Sequence, residues 1–130
     1  MPTFLNPNSL AMPRSSFSHG VMHGPPLKRL LISGQVGANR NGEVGHGLAE
    51  QTETVFDNIE AVLRSADMGL LDLVKLTIFC VPLDGGAIVR DIRDRRLATH
   101  RPASSFLYVS ALANPACLIE IEGEAICEFR

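Results

Sequence analysis

Two segments close the chain and decide its fold. They are Arg101-Pro102-Ala103-Ser104-Ser105-Phe106-Leu107-Tyr108-Val109 and Leu118-Ile119-Glu120-Ile121-Glu122-Gly123-Glu124, the second running on through Ala125-Ile126-Cys127-Glu128-Phe129. In the second, Glu120, Glu122, Glu124 and Glu128 alternate with Ile119, Ile121, Ala125, Cys127 and Phe129. Side chains of a strand point alternately to its two faces, so the carboxylates share one face, with neighbours roughly 6.5–7 Å apart. The other face is apolar and must pack against something. Such a last strand belongs in a sheet whose polar face does chemistry, meets a partner or meets water.

Working outward, Val74 to Val81 is β-branched and almost continuously apolar, the pattern of a strand buried on both sides, and Pro82 ends it. Before it, Ala49 to Ala66 switches to a helical period. Val55, Ile59, Val62, Leu63 and Ala66 form one stripe, while Glu53, Asp57, Glu60 and Arg64 face away. A second helix is predicted from Ala87 to about Ala98, with Ile88, Ile92 and the stem of Arg96 on one side. Phe17 to Met22 and Lys28 to Ser33 read as a hairpin around Gly24-Pro25-Pro26. Gly34 to Gly47 reads as a flexible connection, and residues 1–16, with Pro2, Pro7 and Pro13, as an irregular arm. The predicted order is ββαβαββ over one domain, residues 1–130. Hairpins at both ends and crossover helices between them give an α+β fold, a sheet with two helices on one face and the other face open.

Composition narrows the function. A formal charge of −2 gives no general pull toward nucleic acid, and one Tyr with no Trp argues against a base-stacking platform. No apolar run approaches about 18 residues, so no membrane span is expected. The first dozen residues do not read as a secretory signal. Cys80, Cys117 and Cys127 lack CxxC spacing and read as buried thiols of a reducing, cytoplasmic compartment. The glycine run contains no GxxxxGK or GxGxxG before a helix, and no GxSxG elbow exists. His19 and His23 would share a strand face but have no third ligand, so no metal site is expected.

The order of Ser33-Gly34-Gln35, the helix with Asp57-Asn58, Asp72-Leu73-Val74-Lys75-Leu76-Thr77-Ile78-Phe79, Arg101-Pro102-Ala103 and Glu120-Ile121-Glu122 carries a resemblance. The chain resembles, over nearly its whole length, the Rid family of reactive-intermediate deaminases, also called YjgF-like or L-PSP proteins. The resemblance implies a chorismate-mutase-like fold and a homotrimer whose sheets form a central β-barrel. Clefts between subunits would bind a small metabolite, and no cofactor would be needed. By the same match Glu120 is the catalytic carboxylate that positions or activates water for attack on an imine. Gly34 presents its backbone amide to the ligand, and Phe17 stands where a Tyr is common. Ser105 and Tyr108 are weaker pocket candidates. Some relatives are labelled endoribonucleases, but this sequence offers neither the basic surface nor the aromatic stacking of RNA contact.

One position departs from the pattern. The family's deaminases carry Arg where this chain has Ser104, and a guanidinium fork grips a carboxylate in a way that a single hydroxyl cannot. Three outcomes stay open: a substrate without a carboxylate, a cation supplied from elsewhere, or loss of deaminase activity. Arg90, where many members have Asn, and Arg101, just before the strand, are the candidate relocated cations. The leading expectation is a cofactor-independent imine or enamine deaminase, a hydrolase acting on C–N bonds, with doubtful activity toward 2-aminoacrylate. The alternative is a non-catalytic metabolite sensor or chaperone using the same cleft. A third reading is another hydrolase or lyase acting on an aromatic-pathway intermediate.

Overall fold

The computed structural model describes residues 2–129; Met1 and Arg130, the ends of the predicted domain, lie outside the described residues. Among the described residues, one mixed sheet of six strands is backed by two α-helices. The strands are β1 (Thr3–Leu5), β2 (Gly20–His23), β3 (Leu27–Val36), β4 (Leu73–Cys80), β5 (Ala103–Tyr108) and β6 (Ile119–Glu128), and the helices are α1 (Gly47–Ser65) and α2 (Gly86–Leu97). Their order across the sheet is β1-β2-β3-β6-β4-β5.

The period-two reading of the last strand is borne out. Ile119, Ile121 and Ala125 are fully buried, whereas Glu120 and Glu124 are half-buried and Glu122 is exposed. Leu30, Ile32, Leu76 and Ile78 continue the apolar face and meet Val55, Phe56, Ile59, Val62 and Leu63 of α1. The two helices are tied together by charge. Arg96 of α2 donates to Glu53 at 3.0 Å, to Asp57 at 2.8 Å and to Glu60, and its guanidinium lies over the Phe56 ring. Gln51 is a second tie. It is buried, and its amide donates to Gly45 O and Ala116 O while its oxygen accepts from Leu118 N, pinning two loops to α1.

Several expectations are corrected. Residues 3–5, expected in an irregular arm, pair antiparallel with β2, so an edge strand precedes the predicted first one. The predicted Phe17–Met22 strand begins only at Gly20. The last two strands are not a hairpin. β5 pairs parallel with β4, and β6 inserts between β3 and β4, antiparallel to both. A crossover helix joins β4 to β5, which is what a parallel pair requires. Nor is β4 buried on both faces within one chain: Leu73, Leu76, Ile78 and Cys80 are buried, while Val74 is exposed and Thr77 and Phe79 are half-buried. On α2 the buried residues are Val89, Ile92 and Leu97 rather than Ile88, which is exposed.

Candidate functional site

The ladder between β3 and β6 slips where the site lies. Ile32 pairs with Gly123 and Gln35 with Ile121, so Ser33 and Gly34 together stand opposite Glu122. This is a β-bulge, a device that re-aims side chains at the cost of one unpaired residue. Ser33 fixes it to the arm, its backbone N–H donating to His19 O at 2.7 Å and its hydroxyl to Ser18 O. The bulge brings Gly34 under the Glu120 carboxylate. A Cβ at Gly34 would overlap Glu120 Oε2 and stand 2.7 Å from its Cδ. It is the absence of a side chain at Gly34, with no unusual backbone angle, that gives the Glu120 carboxylate this seat.

Glu120 also pairs with Val36 on one side and Phe79 on the other, so apolar neighbours flank it on the open face. No hydrogen-bond donor reaches its carboxylate among the described residues. Burial, and then repulsion from Glu122, push its pKa above the ordinary glutamate value. A carboxylate that holds its proton more tightly and touches solvent is suited to exchange protons with water.

The other expected site residues fall into separate groups. Phe17 joins Gly34 in the wall of a cavity of about 550 Å³ between the arm, the bulge and α1. Ser105 lies on the open face and accepts from Lys75 Nζ at 2.8 Å. Ser104 pairs with the buried Leu76, so it points to the helix side, where it borders a cavity of about 200 Å³ with Arg101 and the end of α2. Arg90 is on that side too, its guanidinium 5.5 Å above the Phe106 ring. Arg101 is committed elsewhere, donating to the backbone carbonyls of Ala98 and His100 at the end of α2. One chain thus sets Gly34 against both the Glu120 carboxylate and the cavity that Phe17 lines, and keeps Ser104 and Arg90 on the helix side of the sheet. Among the described residues no three His, Cys, Asp or Glu side chains are grouped as metal ligands, and His19 is held by Gln35 and Ala11 O.

The sequence reading missed Gln35 and Asn58, whose side chains organise this region. The Asn58 amide donates to Val36 O and Ala38 O, fixing the end of β3 to α1. Its signal was the Asp57-Asn58 pair of the resemblance, which marked the position without giving it a role. Arg14 was passed over because it lies among the prolines and serines of the arm.

The model of the family described as Endoribonuclease L-PSP matches residues 8–127. The chain belongs to the Rid/YjgF/L-PSP family. Among curated members, the 2-iminobutanoate/2-iminopropanoate deaminase of Escherichia coli is 32% identical over 114 residues, covering 84% of this chain and 87% of that protein. A RutC family protein of Pyrococcus horikoshii is 32% identical over 101 residues, or 76% and 79% of the two lengths. Solved structures of the Rid/YjgF/L-PSP family superpose closely. A Thermotoga maritima protein gives a TM-score of 0.91 at 31% identity, covering 99% of this chain and 100% of the other. The YjgF gene product of Escherichia coli gives 0.87 at 27%, covering 95% and 98%. The Rid fold expected from the sequence is the fold found. No helix among the described residues is long and apolar enough to cross a membrane.

Proposed function

We propose that the protein is a cofactor-independent imine or enamine hydrolase, working as a homotrimer with ligand clefts between subunits. The observation that carries this reading is the Glu120 carboxylate seated on the Gly34 backbone, half-buried and with a raised pKa. Protonation of an enamine at carbon gives the iminium ion. Water adds to its carbon while Glu120 takes one water proton, leaving a neutral carbinolamine. Glu120 returns that proton to nitrogen. As the C–N bond breaks, ammonia leaves, the hydroxyl proton passes to Glu120 and then to solvent, and a carbonyl remains. An Escherichia coli relative named a 2-iminobutanoate/2-iminopropanoate deaminase, matching across most of both chains, supports the reaction class.

The trimer draws on the open face of the sheet. Leu27, Leu31 and Leu107 are exposed there beside Phe79 and the glutamate row, more apolar area than a solvated sheet needs. It draws also on the division of site residues between two faces, since only a second chain brings helix-side groups to the Glu120 side. Three unpaired thiols, Cys80, Cys117 and Cys127, suit a cytoplasmic setting. Sedimentation at micromolar concentration is expected to show a trimer, and a monomer would contradict it. Ser104 leaves the family's strand without its guanidinium, so 2-aminoacrylate is expected to be a poor substrate. That same position favours the second reading, a binding protein without turnover. Hydrolysis of imines generated in the assay by an amino-acid oxidase separates the two: Glu120→Gln must remove an activity that the wild type shows.

A further inference from the structure

The cavity beside Gly34 has a definite chemistry. Its walls are mainly apolar, including Leu10, Met12, Phe17, Val36 and Ala38. Its polar residues from the core are already committed. Asn58 spends its amide on two carbonyls, and the Gln35 amide donates to His19 Nδ1 at 3.0 Å and to Ser33 O, while His19 Nε2 donates to Ala11 O at 2.8 Å. Arg14 is different. It borders the cavity with no hydrogen bond or ion pair among the described residues, and no Asp or Glu lines the walls. One of its terminal nitrogens lies 3.9 Å from the place a Cβ would take at Gly42, whose φ of 80° keeps that wall bare.

We propose that this cavity binds a monocarboxylate with an apolar body, and that Arg14 grips the carboxylate. An unpaired guanidinium at the edge of an apolar wall recognises a planar anion by two parallel hydrogen bonds. The volume of about 550 Å³ lies within the range of small-molecule sites. The inference rests on the small-metabolite reading above and names the cation that Ser104 cannot supply. Within one chain the two cations expected from the sequence are less well placed. Arg101 caps α2, and Arg90 stacks on Phe106 across the sheet from Gly34. Among the described residues of one chain, Arg14 is the one arginine or lysine that shares a cavity with Gly34, on which the Glu120 carboxylate sits.

The test is calorimetric titration of the intact protein with phenylacetate and with the uncharged phenylacetamide. The wild type is expected to prefer the anion. Arg14→Gln should lose about ten- to a hundredfold in phenylacetate affinity, leave the amide unchanged and melt like the wild type, because the side chain is exposed. Arg14→Lys should restore part of the loss, and Arg90→Gln should change neither ligand. No phenylacetate binding by the wild type, no preference for the anion, or full affinity in Arg14→Gln overturns the proposal. A loss in Arg90→Gln instead overturns the Arg14 site yet leaves imine hydrolysis standing. The converse result, normal Arg14 dependence with unimpaired hydrolysis by Glu120→Gln, sinks the catalytic reading alone.

Discussion

Replacing Gly34 by alanine probes the contact on which the catalytic reading turns. The new Cβ would overlap Glu120 Oε2 and stand 2.7 Å from Cδ and 3.0 Å from Cγ. All three atoms belong to the outer part of a flexible side chain, so Glu120 can swing away without moving the sheet. The cost is an off-rotamer glutamate, about 0.5–1.5 kcal/mol. Alanine offsets about 0.4–1 kcal/mol of this by restricting the unfolded chain. Net stability should therefore fall by less than about 1 kcal/mol, a melting shift of no more than roughly 5 °C. The carboxylate, however, leaves its apolar seat between Val36 and Phe79. Its pKa should drop toward the ordinary glutamate value, as read by carbon NMR of the side-chain carboxyl. Imine hydrolysis should fall by about 10²–10⁴, the range attributed to a positioned general base. The double variant with Glu120→Gln should be no slower than Glu120→Gln alone, because both changes remove one device. An unchanged Glu120 titration in Gly34→Ala, or unfolding by several kcal/mol, would refute the reasoning.

Gln51→Leu should destabilise by about 1–3 kcal/mol, measured by denaturant unfolding, since it leaves three part-buried backbone groups, the carbonyls of Gly45 and Ala116 and the Leu118 N–H, without their partner. Arg96→Ala should cost about 1.5–3 kcal/mol by the same measurement, toward the lower end because Asp57 and Glu53 are well exposed. Acid should narrow that difference. The guanidinium of Arg95, with help from Arg96 and against a burial penalty, holds Glu53 below the usual carboxylate range. A lowered folded pKa gives stability that is present above the unfolded value of about 4.3 and is lost as pH falls through the folded one. The melting gap between Arg96→Ala and wild type should therefore shrink below about pH 4.

How much was legible follows from which interactions are local. The alternation of Ile119, Glu120, Ile121 and Glu122 and the stripe Val55, Ile59, Val62, Leu63 are short-range periodicities, and both predicted the correct faces. Strand order is not local. Nothing within residues 103–129 says that β6 leaves β5 and inserts between β3 and β4. Thr3–Leu5 is too short to stand out from an arm containing Pro2 and Pro7, and it becomes a strand only by pairing with β2. The continuous apolar run at Val74–Val81 suggested two covered faces, whereas one chain covers one; the trimer proposed above would cover the other. At the site, Gly34 and Glu120 came from the family resemblance, and the structure brings them into contact. Strand parity puts Ser104 on the same face as Phe106, but parity alone does not say that this is the helix side, where Arg90 of α2 stacks on the Phe106 ring. Arg101 looked like a spare cation because a helix end consumes it through backbone carbonyls that no sequence pattern displays.

The most direct test of the central claim is ammonia release from oxidase-generated 2-imino acids, by wild type and Glu120→Gln at matched oligomeric state. The imines of leucine and phenylalanine should be hydrolysed faster with wild-type protein than without it, and faster than the imine of alanine, given the apolar cavity beside Gly34. Glu120→Gln should lose about 10²–10⁴ of that acceleration while keeping its affinity for phenylacetate. Equal rates for the two proteins, or no acceleration of any imine by the wild type, would contradict the account.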